Sequence, residues 1–145
     1  MTTTLNPYLN FLDGKAREAM EFYQSILGGD LTVMTFGDMG MEGDVGSQVM
    51  HAQLQTDAGF TLMGADAPEG MVQVTVGNNV SVSISGDELD LLQGYFEKLS
   101  DGGTVTMPLD KQAWGDVFGA CVDKYGINWL VDIYETPAEG APAGV

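Results

Sequence analysis

The chain is short of nearly everything that would staple a protein together or hold it against an anion. A single cysteine, Cys121, rules out an intramolecular disulfide and the usual thiol-pair zinc motifs, and it suits a reducing cytoplasm. Only five basic residues (Lys15, Arg17, Lys98, Lys111 and Lys124) face 21 acidic ones, a net charge of −16. Phosphate backbones and anionic membranes are repelled by that charge, so nucleic acid is not an expected partner. The acidic excess reads as a solvated surface that serves solubility or a high-salt habitat, and by itself it identifies no site. No stretch approaches the roughly 18 apolar residues of a membrane span. The opening "MTTTLNPYLNF" also lacks a basic region followed by an apolar core. A soluble, uncleaved, cytoplasmic protein is expected, with no membrane partner. One histidine, His51, confines imidazole chemistry to a single position.

What is present suits one domain. A chain of 145 residues can bury about two thirds of its unfolded surface without disulfides or a structural ion. The segment "TPAEGAPAGV" (136–145) is small, Pro-rich and Gly-rich with nothing to bury, and it reads as a frayed tail. Before it, two halves share one order of elements. "YLNFL" (8–12) alternates as a strand, and Asp13 is placed to cap a helix with Ala16, Ala19, Met20, Tyr23, Ile26 and Leu27 at helical spacing. Gly28 and Gly29 stop that helix. Extended "DLTVMTF" (30–36), a mobile loop "GDMGMEGDVGS" (37–47), the His51 strand, a turn at "TDAG" and "FTLMGA" (60–65) complete a βαβββ half.

The second half reads the same way. "NVSVSIS" (79–85) alternates, "SGDE" (85–88) has capping-box spacing, and Leu89, Leu92, Tyr95, Phe96 and Leu99 follow helical spacing. Gly102 and Gly103 end the helix. "TVTMP" (104–108), a loop around Trp114, "FGACVD" (118–123) and "NWLVDIY" (128–134) follow. Phe22-Tyr23 and Gly29 recur 73 residues later as Tyr95-Phe96 and Gly102, which points to an internal duplication.

Paired modules carrying "PYLNFLDGKAREAMEFYQSILGG", "VMHAQL", "TLMGAD", "MPLDKQAWGDVFG" and "DKYGINWLVDI" in that order resemble the vicinal oxygen chelate superfamily of glyoxalases, bleomycin-resistance proteins and extradiol dioxygenases. Within it they resemble the PhnB-like branch. The match spans roughly residues 5–135. The resemblance implies an α+β fold in which two βαβββ modules, about residues 5–66 and 78–135, form curved mixed sheets with helices outside. It also implies a single domain over 1–135, a concave ligand site and a homodimer. Its enzymes take metal ligands from the first, fifth, fourth and eighth strands. Carried over by strand and face, those positions fall near Tyr8, Asn79, Met63 and Leu130. A thioether, a leucine and neutral Asn and Tyr are poor ligands for zinc, nickel or iron, so no metal or other cofactor is expected.

Alternation around "SQVMHAQLQ" (47–55) puts Val49, His51, Gln53 and Gln55 on one face and Met50, Ala52 and Leu54 on the other. With Leu9, Phe11, Val80, Val82 and Ile84 assigned to the helix side, the concave face receives Tyr8, Asn10, His51, Gln53, Met63, Asn79, Ser81, Ser83 and Asp132. Trp114 is placed to close over a ligand or to plug the end of the sheet. Such an apolar-aromatic wall with scattered polar groups suits a small organic molecule. Each of these residues also has an ordinary structural role open to it: His51 as a polar group on a strand, Tyr8 and Met63 as core. Two functions follow. One is metal-free binding of a small molecule. The other is a lyase, isomerase or dioxygenase type of enzyme on a small oxygenated substrate, with His51 as general base or unusual metal ligand and Tyr8 or Asn10 polarising a carbonyl. "GDMGMEGDVG" follows a strand without opening an apolar helix, so it does not read as a nucleotide cradle. Cys121 is expected to be buried and unreactive.

Overall fold

A computed structural model describes residues 2–135; the expected tail (136–145) lies outside them. The chain divides into two compact units, Met1–Thr75 and Val76–Val145, and each carries one four-stranded mixed sheet with one long helix.

In the first unit the elements run β1 (Tyr8–Phe11), α1 (Ala16–Leu27), β2 (Asp30–Thr35), β3 (Val49–Gln55) and β4 (Thr61–Asp66). The sheet order is β1-β4-β3-β2, with β1 parallel to β4 and the other pairs antiparallel. The apolar stripe of α1 is the one its spacing predicts: Ala16, Ala19, Met20, Tyr23 and Ile26 are all buried. Leu9, Phe11, Ala52, Leu54 and Leu62 are buried with them, which makes an amphipathic helix laid on one sheet face. Gly64 permits that close packing, because a Cβ there would meet the Phe11 ring at 3.0 Å and the Met20 sulfur at 3.2 Å.

The helix start differs from expectation. Asp13 does not cap it; the residue sits in the left-handed region at φ 60°, and Lys15 stands at the N-cap without a side-chain bond. The free backbone N–H of Ala16 instead donates to Asp66 Oδ1 at 2.9 Å, while Val49 N–H donates to Asp66 Oδ2 at 2.7 Å. One buried carboxylate from β4 thus satisfies a helix end and a strand start that are remote in sequence.

In the second unit β5 (Val82–Gly86), α2 (Leu89–Ser100), β6 (Thr104–Lys111), β7 (Val117–Val122) and β8 (Asn128–Ile133) repeat the order. The sheet runs β5-β8-β7-β6 with β5 parallel to β8. Leu92, Phe96 and Leu99 of α2 are buried, as are Ile84, Cys121, Trp129, Val131 and Ile133. Two expectations are corrected here. The strand begins at Val82, where pairing with Trp129 starts. Asn79, Val80 and Ser81 precede it, and Val80 is 75% exposed instead of facing the helix. The "SGDE" box also fails to form: β5 continues through Gly86, and Glu88 holds the N-cap without a side-chain bond.

The β7–β8 turn is organised by Asp123. Its Oδ1 accepts from Tyr125 N–H at 2.8 Å and Ile127 N–H at 3.1 Å, and its Oδ2 accepts from Trp129 Nε1–H at 2.8 Å. That network gives the "DKYGINW" segment a structural purpose. The duplication is visible in the helices, α1 and α2 being 73 residues apart, but the strands after them are offset by 74. Gly29 therefore matches Gly103 and not Gly102: a Cβ on either would collide with a backbone carbonyl, of Gln55 and Val122 respectively.

Candidate functional site

On the first sheet, strand alternation turns Tyr8, Asn10, Met34, His51, Gln53, Met63 and Ala65 away from α1, as the registers Tyr8↔Met63, Gln53↔Met63 and Met34↔His51 require. Five of these, Tyr8, Asn10, His51, Gln53 and Met63, are the residues expected on that face. Tyr8 and His51 stand on strands separated by β4, yet Tyr8 Oη lies 3.1 Å from His51 Nδ1 and the ring centroids are 5.6 Å apart. Ala65, next to Gly64 which pairs with Ala52, presents only a methyl group on the intervening strand. Burial raises the Tyr8 phenol above its ordinary range, so at neutral pH it keeps its proton. When Tyr8 donates to Nδ1, the imidazole carries its own proton on Nε2; when Nδ1–H donates to Tyr8, Nε2 is an acceptor. The face offers hydrogen-bond donors and acceptors between two thioethers, and a carboxylate, Asp30, stands on it opposite Gln55 at the start of β2.

On the second sheet, Ser83, Ser85, Leu130, Asp132, Phe118 and Ala120 turn away from α2, with Ser85 and Phe118 flanking Asp132 in register. Asp132 is 1% exposed and Asp116, at the foot of β7, is 8% exposed. Asp132 Oδ1 and Oδ2 and Asp116 Oδ2 are buried without a hydrogen-bond partner. Burial, and then the neighbouring Asp116, push the Asp132 carboxyl up to about 6. Trp114 occupies a tight turn closed by Gln112 N–H to Asp116 O at 2.7 Å and Gly115 N–H to Gln112 O at 3.0 Å. It is 57% exposed and meets the Phe118 ring edge-on at 6.0 Å.

The superfamily metal positions are placed sheet by sheet, two in each unit. Tyr8 pairs with Met63, Leu130 pairs with Ser83, and Asn79 lies outside β5. Among the described residues no three His, Cys, Asp or Glu side chains converge. The glycine-rich segment forms two short 3-10 turns, Gly37–Met39 and Asp44–Ser47. It is tied back by Thr35 N–H to Asp38 Oδ2 at 2.9 Å and Asp38 N–H to Thr35 Oγ1 at 3.1 Å; the Thr35 backbone N–H, and then its hydroxyl, hold the Asp38 carboxyl below its ordinary range. It opens no long helix, so it lacks the geometry of a phosphate cradle. Cys121 is buried, and desolvation with nearby Asp123 pushes its thiol up to about 11, which leaves it protonated and inert.

Sequence reasoning missed the bridging role of Asp66, the pairing of Asp116 with Asp132, and a cavity of about 900 Å³ in the first unit. That cavity is lined by Leu12, Asp13, Asp44, Gln48, Ala67, Glu69 and Met71 among others, and by none of the residues expected to bind a ligand.

Two βαβββ units with helices on one side of each sheet define the glyoxalase/bleomycin-resistance fold. A solved domain of that description from Frankia sp. EAN1pec superposes with a TM-score of 0.64 at 16% identity, over 93% of this chain and 99% of that one. The 3-demethylubiquinone-9 3-methyltransferase family profile matches residues 3–132, and the chain belongs to this PhnB-like family. Protein PA1353 from Pseudomonas aeruginosa is 30% identical with a TM-score of 0.78, covering 92% of this chain and all of that one. The protein YjdN of Escherichia coli is 24% identical over 89% of this chain and 94% of its own length.

Proposed function

We propose that this protein binds a small organic molecule on the face of its first sheet turned away from α1, and does so without a metal. The observation that carries the reading is the Tyr8 Oη···His51 Nδ1 contact at 3.1 Å, set among Asn10, Gln53, Met34 and Met63. Neutral amide and hydroxyl groups orient a ligand by hydrogen bonds, and thioethers adapt to its apolar body. The poor donor chemistry of Tyr8, Met63, Asn79 and Leu130 supports the metal-free part. Native mass spectrometry of the purified chain is expected to reveal a retained organic molecule. His51→Ala should keep the fold at a cost of no more than about 1–2 kcal/mol and lose that molecule. A variant that retains it as firmly as wild type, with His51 ring resonances indifferent to its presence, would exclude the first-sheet site.

The same contact supports a second reading. A tyrosine hydroxyl that fixes one imidazole nitrogen leaves the other as a general base on a small oxygenated substrate. Methyl transfer, suggested by the family's description, gains no support from the segment 37–47, which does not fit a nucleotide-like methyl donor.

We also infer a cytoplasmic homodimer. β6 is an edge strand of its sheet with Val105 45% and Met107 44% exposed, and unpaired edges invite a second copy. Sedimentation at micromolar concentration should give twice the chain mass of 15.4 kDa; a lone monomer peak refutes the dimer.

A further inference from the structure

We propose that Asp116 and Asp132 together form a site for a hard divalent cation, of the Mg²⁺ or Mn²⁺ class, within the second unit. Two carboxylates buried to 8% and 1% exposure, with three oxygens left unpartnered, are an expensive arrangement unless something answers their charge. A single shared proton bridges one oxygen of each side chain and still leaves one negative charge in place. A divalent cation takes an oxygen from each side chain and neutralises both. The available donors are all oxygen: the two carboxylates and the Ser85 hydroxyl, which stands beside Asp132 in the β5–β8 register. No thiolate or imidazole joins them, which selects against zinc, copper and nickel. One or two carboxylates, with water completing the shell, is the way proteins hold Mg²⁺.

The place is distinct from the superfamily metal position. That position falls at Leu130 on β8, whereas Asp132 is two residues further along the same face and its partner comes from the turn that carries Trp114. The inference is independent of ligand binding on the first sheet.

The test uses the full chain stripped with EDTA and titrated with Mn²⁺, with bound and free ion separated by electron paramagnetic resonance. A diffuse acidic surface gives weak, unsaturable binding, so the signal sought is a saturable site. Wild type is expected to show one, displaced by excess Mg²⁺, and Asp132→Asn and Asp116→Asn should each weaken it at least about tenfold, since affinity follows ligand charge. Asp38→Asn, at an exposed acid of the first unit, should leave it unchanged. Circular dichroism of each variant confirms that it is folded. Absence of saturable Mn²⁺ binding in wild type overturns the proposal, and so does saturable binding that survives either substitution in a folded variant.

Discussion

Asp132→Asn is expected to stabilise the metal-free protein by about 3 kcal/mol near neutral pH, and to leave it unchanged in strong acid. Burial and the adjacent Asp116 push the Asp132 carboxyl up to about 6, whereas in the unfolded chain it titrates near 3.9, as an ordinary aspartate does. A folded-state value above the unfolded one means that the native state binds the proton more tightly. Stability is therefore lost as the pH rises from about 4 through about 6, and the full penalty is present once Asp132 is ionised in both states. Asparagine keeps the shape and cannot ionise, so the variant escapes that penalty. Urea denaturation of wild type and variant across this range, in EDTA, measures the difference and cancels the acidic groups outside the Asp116–Asp132 pair. A difference that is flat with pH, or a variant less stable than wild type near neutrality, would mean that the ionised carboxylate is well accommodated.

Such a pair is invisible in the sequence, because Asp116 and Asp132 meet only once β7 and β8 lie side by side. What was legible had a short period. Ala16, Ala19, Met20, Tyr23 and Ile26 announce a helix face by spacing alone, and all five are buried. Alternation likewise put Tyr8 and His51 on one sheet face, but not in contact. Their contact depends on the order β1-β4-β3 and on a small Ala65 between them. Where a local rule competed with a long-range partner, the partner won. Asp13 looked like a cap, yet Asp66 satisfies Ala16 N–H across 50 residues, and "SGDE" looked like a capping box, yet strand pairing extends through Gly86. Val80 alternates correctly with Val82 but has no strand beside it, so its period carries no burial. The superfamily resemblance supplied the fold, which periodicity alone could not.

The duplicated glycines make the sharpest demand on the backbone. Gly103→Ala should cost about 4 kcal/mol or more, or prevent folding, because the new Cβ would sit closer than 3.0 Å to the Val122 carbonyl oxygen and to Asp123 backbone atoms. None of these can swing aside as a flexible side chain would; relief requires the start of β6 to separate from the end of β7, where Thr104 pairs with Val122. Gly29→Ala meets the same obstacle at Gln55 and Thr56 and adds a left-handed φ of 95°, so it should be at least as damaging. The helix glycine Gly94 is the control. A Cβ there meets nothing within 4 Å, and Gly94→Ala should stabilise α2 by about 0.5–1 kcal/mol through helix propensity alone. Urea midpoints of the three variants test the pattern. If Gly103→Ala and Gly94→Ala shift the midpoint by similar amounts in the same direction, β6 does not approach β7 as closely as described, and the one-residue offset between the two halves loses its physical reason.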